Sequence, residues 1–196
     1  MVKLDTTTRQ KQILEISLEL IMEGGIQNLT MKRISWKVGI SEQAIYRHFE
    51  NKFAILNSII KYFNDHFESV LKQISGIEST KERISRLIDI HLDYFEANPA
   101  TATVIFSEEI FQNDFQLSQR VRKLVELRIG IATELIEKGQ KQGDVSRDYP
   151  PADLAFVILG ALRFLVTNWR LSGFSFPLKE RGESLKRSLV GLISAG

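Results

Sequence analysis

The chain has 196 residues and no cysteine, which excludes disulfides and thiolate chemistry. Its three histidines, His48, His66 and His91, fall in no metal-ligand spacing. No phosphate-binding glycine loop, zinc-protease helix or serine-elbow motif occurs. Glu108 and Glu109 are adjacent, so on a helix they diverge by about 100° and cannot face one another as a catalytic carboxylate pair. An enzyme is therefore not expected, and no cofactor or metal is implied. Long apolar runs are missing too: the longest, Ala155 to Leu162, stops at Arg163 and is too short to span a bilayer. Met1 to Thr8 is polar and the apolar positions after it are spaced for an amphipathic helix, so no signal peptide is expected. These absences point to a cytoplasmic protein with no membrane partner. Charge of one sign is nearly balanced, with a formal excess of only +2, and all of that excess falls within residues 1–52. Pairing two subunits would double it along one face, where backbone phosphates are met.

What is present begins at Asn28 and runs to Lys52, NLTMKRISWKVGISEQAIYRHFENK. Thr30 is a good N-cap, because its hydroxyl can accept a free backbone N–H at a helix start. Met31, Ile34 and Val38 follow at helical spacing, and Gly39 stands where a residue without Cβ can turn left-handed and end the helix. Ile40 plugs the corner and Ser41 caps the next helix. Ala44, Ile45 and Phe49 supply the inward face of that helix, leaving Gln43, Tyr46, Arg47 and His48 to point outward. This is the helix-turn-helix arrangement, whose second helix presents polar side chains to the DNA major groove. The rival reading of the same residues is a structural helical hairpin with no DNA role.

The pattern T-x-x-x-I-S-W-K-V-G-I-S-x-x-A-I-Y-R-H-F-x-N-K resembles the N-terminal signature of TetR (tetracycline repressor) family regulators. Its most telling parts are Gly39-Ile40-Ser41, Tyr46, His48-Phe49 and Lys52. It departs from the usual pattern at Ser35 and Val38, where small alanines are common, at the bulky Trp36, and at Gln43, where glycine is frequent. The motif covers about the first quarter of the chain. The resemblance implies an all-α fold, with an N-terminal three-helix DNA-binding domain over residues 1–52 and a larger C-terminal helical ligand-binding and dimerisation domain over 53–196. Matched to the motif, Thr30, Ser41 and Lys52 look like phosphate contacts, reinforced by backbone amides at helix starts. Tyr46 and His48 look like further phosphate contacts, and Lys32 is placed among the DNA-binding residues with them. Gln43 can pair with adenine, Arg47 can reach guanine or a phosphate, and Ala44 can pack on a thymine methyl. Glu42 either belongs to this face or simply favours the helix N-terminus. Trp36 either stacks on the sugar-phosphate backbone or packs on the first helix.

The rest of the chain reads as helices. The first spans about Thr8 to Glu23, and a fourth begins after Asn51. Ser79-Thr80-Lys81-Glu82 matches a capping box, and Asn98-Pro99 ends the helix it opens. A short helix over about Ala100 to Phe111 and a long one from Phe115 to about Gly139 follow. Pro151 suits the first turn of the next helix, to Leu171, which is apolar on nearly every side and must be covered all round. A last helix spans about Leu178 to Ile193. The resemblance implies that these last two helices pair with their twins in a homodimer.

Aromatic residues gather in the middle helices, where the plain reading is core. Collectively they can line an apolar pocket with a few polar handles, and the resemblance implies such a pocket. The residues singled out for it are His91, Tyr94, Phe95, Phe106, Phe111 and Arg128. Arg128 interrupts an apolar stripe, and a salt bridge to Glu108 or Glu109 is the competing account of it. The sequence thus reads as a ligand-responsive, homodimeric transcription regulator, a repressor released from a roughly palindromic double-stranded operator by a small, largely apolar ligand. The alternative is a DNA-binding protein of the same fold that senses no small molecule and acts through a protein partner.

Overall fold

A computed structural model describes residues 5–106 and 115–194, and every described element of regular structure is helical. The described residues form two compact units: 5–64 with 100–106 and 115–119, and 65–99 with 120–194.

The first unit starts with α1 (Thr6–Gly24), capped by Asp5, whose carboxylate accepts the Thr8 N–H at 3.1 Å. A single 3-10 turn (Ile26–Asn28) leads into α2 (Met31–Val38). Thr30 Oγ1 accepts the Arg33 N–H at 3.2 Å, and Gly39 ends α2 at φ 75° and ψ 34°, the left-handed region that favours glycine. The next helix, α3 (Glu42–Tyr46), opens with Ser41 Oγ accepting the Ala44 N–H at 3.2 Å. It is shorter than its outward polar set suggests, because Arg47 and His48 already lie in the turn that follows. Asn51 Oδ1 accepts the Ala54 N–H at 2.9 Å at the start of α4 (Lys52–Ile74). Ile13, Leu20, Ile34, Ile45 and Ile55 meet in the core of this unit, all 4% exposed or less. Ser17, the fully buried polar residue among them, is satisfied by donating to the Ile13 carbonyl at 2.7 Å. The short α6 (Pro99–Ile105) is almost wholly buried, and its Thr103 Oγ1 lies 4.0 Å from Met22 Sδ of α1.

The second unit is built from the end of α4 with α5 (Thr80–Ala97), most of α7 (Phe115–Gln142), α8 (Pro151–Leu171) and α9 (Leu178–Ile193). Ser79 Oγ accepts the Glu82 N–H at 3.3 Å, as the capping pattern predicts. The further acceptor at this helix start is Asp144, from the loop after α7, which takes the Ser79 hydroxyl at 3.2 Å and the Lys81 N–H at 3.1 Å. Helix α9 packs along α5 and beside α8. Lys186 of α9 is held by Asp89 of α5 at 2.6 Å and by Glu183 at 2.9 Å, and Lys179 by Asp93 at 2.9 Å. Helix α8 buries Leu154, Ile158, Leu162, Val166 and Trp169 on one side. Its other side leaves Phe156 67%, Phe164 74% and Leu171 73% exposed. Among the described helices, α8 has the length and apolar composition of a bilayer span, although no single apolar run in it is that long. Arg163 and Arg170 interrupt it, and its division into a buried and an exposed face is that of a helix packed on one side.

Gly182 of α9 packs tightly against Leu92 of α5, since a Cβ built there would collide with Leu92 Cδ1. Gly182→Ala is therefore expected to destabilise the protein by about 1–3 kcal/mol. Combined with Leu92→Ala it should cost less than the sum of the two single losses, which a double-mutant cycle of thermal melts would measure.

Candidate DNA interface and ligand site

The DNA-facing candidates rest on three short elements whose ends are fixed by caps. Thr30, Lys32, Ser41, Glu42, Gln43 and Arg47 are exposed, Tyr46 is 50% exposed, and Ala44 is half-buried beside the fully buried Ile45. The hydroxyls of Thr30 and Ser41 accept backbone N–H groups, so each tightens a helix start. Trp36 is 82% exposed and so does not pack on α1. An indole in water at the end of α2 has a flat apolar face to offer and no partner within the unit that hides it.

His48 is half-buried: its carbonyl accepts from Gln10 Nε2 at 3.4 Å, and its Nδ1 is buried with no hydrogen-bond partner among the described residues. Lys52 Nζ donates to the Ile26 carbonyl at 2.7 Å, which ties the start of α4 to the 3-10 turn before α2. It therefore braces the unit as well as carrying a charge.

Two cations of α2 behave differently. Lys37 is gripped by Glu19 at 3.2 Å and by Glu23 of α1, and the Glu23 carboxylate raises its affinity for its proton. That pair neutralises Lys37 and pins α2 to α1. Arg33, which sequence reasoning gave no individual role, is exposed next to Lys32 and adds a charge to the same helix.

The ligand candidates divide between the units. His91, Tyr94, Phe95 and Arg128 lie in the second, while Phe106 is buried in the first and Phe111 lies outside the described residues, as do Glu108 and Glu109. In the second unit the candidates converge. Phe95 is fully buried and meets the His91 ring edge-on, with centroids 4.8 Å apart. Tyr94 stacks at 4.3 Å on His66, and the Arg128 guanidinium lies 4.6 Å from the centroid of Phe67. His66, which sequence reasoning set aside, is thus a member of the cluster through α4. Only the mutual register of α4, α5 and α7 reveals it.

Electrostatics sets this cluster apart. Burial, followed by the positive Arg128 and then His66, pushes His91 down to about 3. Burial alone lowers His66, and burial brings Arg128 down to about 10. At neutral pH the imidazoles are uncharged and Arg128 keeps its charge, with a ring beneath it.

Comparison with known proteins bears on both regions. Residues 13–59 match the family model "Bacterial regulatory proteins, tetR family", and residues 60–192 match "YsiA-like protein, C-terminal region". The fatty acid metabolism regulator protein of Bacillus subtilis is 23% identical over 183 residues, 93% of this chain and 94% of that protein. The nucleoid occlusion factor SlmA of Alteromonas mediterranea is 25% identical over 170 residues, 86% of this chain and 84% of that protein. Among solved structures, the transcriptional regulator FadR from Bacillus subtilis in complex with stearoyl-CoA superposes with a TM-score of 0.81 at 22% identity, covering 93% of this chain and 98% of that one.

The depressed pKa of His91 makes a prediction with a definite sign. Unfolded, this side chain titrates near 6.5; folded, it resists protonation down to about 3. Between those values the unfolded chain binds the extra proton, so stability is present above pH 6.5 and is lost as pH falls through the window. His91→Phe is expected to flatten this acid sensitivity, by up to about tenfold in the unfolding equilibrium constant per pH unit. Denaturant titrations of both proteins at pH 7, 6 and 5 would check it.

Proposed function

From the premise that this chain belongs to the tetR family of bacterial regulatory proteins, we propose that it is a cytoplasmic, homodimeric repressor, without catalytic activity, that a small apolar ligand releases from a palindromic operator. The observation that carries this reading is the capped α2–Gly39–α3 turn, with Gln43, Tyr46 and Arg47 exposed on its outer side. Gln43 reads adenine and Arg47 guanine or phosphate, while Thr30, Lys32, Ser41, Tyr46, His48 and Lys52 position the protein on the backbone. Trp36 stacks on the sugar-phosphate backbone, and Glu42 favours the start of α3. Two copies pair through α8 and α9, covering Phe156, Phe164 and Leu171, so that two recognition helices meet half-sites about one helical turn apart.

The ligand binds in the larger domain, over residues 53–196, with His91, Tyr94, Phe95 and Arg128 of the second unit as its contacts. Likeness to a fatty acid metabolism regulator, and to a regulator crystallised with stearoyl-CoA, supports a long acyl chain as its apolar part. Helix α5 carries three of the contacts and runs through Asn98 and Pro99 into α6, whose Thr103 touches Met22 of α1. A shift of α5 therefore has a covalent route to the unit that holds the DNA face. Release follows only if the ligand binds the free protein more tightly than the DNA-bound form. Likeness to a nucleoid occlusion factor favours a second reading, in which the same fold binds DNA and acts through a protein partner without a small molecule.

Selection of bound duplexes from a random pool, at two salt concentrations, tests the DNA reading. A two-fold symmetric site is expected; salt-sensitive binding with no enriched sequence would reject a sequence-specific regulator. On that site, acyl compounds should lower DNA affinity, and equal affinity of a compound for free and DNA-bound protein would reject release by ligand. Phe164→Asp is expected to give a folded monomer by light scattering and at least about a tenfold loss of operator affinity; a variant that stays dimeric would reject the α8–α9 interface.

A further inference from the structure

We propose that Glu42 is a specificity-determining residue whose carboxylate reads cytosine at one base pair of each operator half-site. The inference rests on the DNA-binding reading above and gives Glu42 a role at the base edges beyond favouring the start of α3.

Between Thr30 and Arg47 the chain has a single acidic residue, Glu42, in company with Lys32, Arg33, Lys37 and Arg47. Lys37 is bound by Glu19 and Glu23, whereas among the described residues no cation pairs with Glu42. Glu42 is exposed at the first position of α3, directly after the cap Ser41, and the exposed Gln43 follows it. In a helix-turn-helix, the N-terminal residues of the second helix are the ones that contact base edges. Glu42 and Gln43 emerge there about 100° apart, as two adjacent probes.

The structural role open to Glu42 is slight. Ser41 Oγ already supplies the cap by accepting the Ala44 N–H at 3.2 Å. A capping-box acid would stand three residues after the cap, where this chain has Ala44. What remains is a negative charge near the start of a helix of five residues, whose dipole is correspondingly short.

The chemistry of the groove selects the base. Phosphates repel a carboxylate, so its favourable partner on a duplex is a donor at a base edge. The major groove offers two amino donors, cytosine N4 and adenine N6. Adenine sets its acceptor N7 beside N6, and a carboxylate only accepts hydrogen bonds, so N7 opposes it. Cytosine presents N4 with no acceptor of its own alongside. Gln43, which both donates and accepts, suits adenine for the same reason that Glu42 does not.

Selection of bound duplexes from a random pool, run in parallel with the full-length wild type, Glu42→Asp and Glu42→Ala, tests this. The wild type should enrich a two-fold symmetric site with one cytosine in each half-site preferred at least about fivefold. Glu42→Asp keeps the charge at the helix start and is one methylene shorter. It should lose that preference, as should Glu42→Ala, with the rest of the site unchanged. Placing N4-methylcytosine at the same position keeps the base pair and removes the N–H from the groove. This should weaken wild-type binding at least about fivefold and binding of Glu42→Ala by less than about twofold. The same enriched site for all three proteins would overturn the cytosine contact and leave the regulator reading standing, as would wild-type binding indifferent to the methyl group. A preference kept by Glu42→Asp and lost by Glu42→Ala would also overturn it, assigning Glu42 to the helix start alone. No enriched site with the wild type would overturn both readings.

Discussion

The turn at Gly39-Ile40-Ser41 constrains the rest of the candidate DNA interface. A helix of five residues has almost no stability of its own, because forming its first turn fixes several residues for a single hydrogen bond. Helix α3 persists because Ser41 satisfies one of its free amides, Ile45 is fully buried, and Gly39 lets the chain reverse without strain. Each contribution is small, and each fixes an angle. Together they decide which side chains emerge: shift the cap by one residue and Gln43 rotates by about 100° toward the core while Ala44 turns to solvent. Direction at this surface is set by an alcohol, a missing Cβ and one isoleucine.

Much of this was legible in the sequence because capping is local. Thr30, Ser41, Asn51 and Ser79 each accept the backbone N–H three residues on, as their positions announce. Helix ends marked by Gly39, Asn98 and Pro151 were equally readable. Distance along the chain is where reading stops. Asp144 completes the start of α5 from more than sixty residues away, and no pattern around Ser79 points to it. Trp36 was ambiguous because helical spacing says which face a residue occupies and not whether a neighbour covers that face; the structure leaves it in water. The partnership of His66 with Tyr94, and of Phe67 with Arg128, depends on the registers of three helices, which composition does not encode.

The two units handle charge in opposite ways. At the second, cations that join helices are balanced at once, Lys186 by Asp89 and Glu183 and Lys179 by Asp93, so they hold α9 to α5 without leaving a field. At the first unit the exposed cations Lys32, Arg33 and Arg47 are left to water, the arrangement of a surface that exchanges small ions for phosphates.

Lys37 belongs with neither group, and its place changes how the DNA face is to be counted. It lies on α2 among the cations and would enter any tally of phosphate neutralisation. Its charge is already cancelled by Glu19 and Glu23 on the helix behind. The number of small ions set free when the protein meets a duplex therefore reflects a smaller set than the basic residues of its first fifty positions. This lysine is a rivet, and a steep ionic-strength response would have to come from its neighbours.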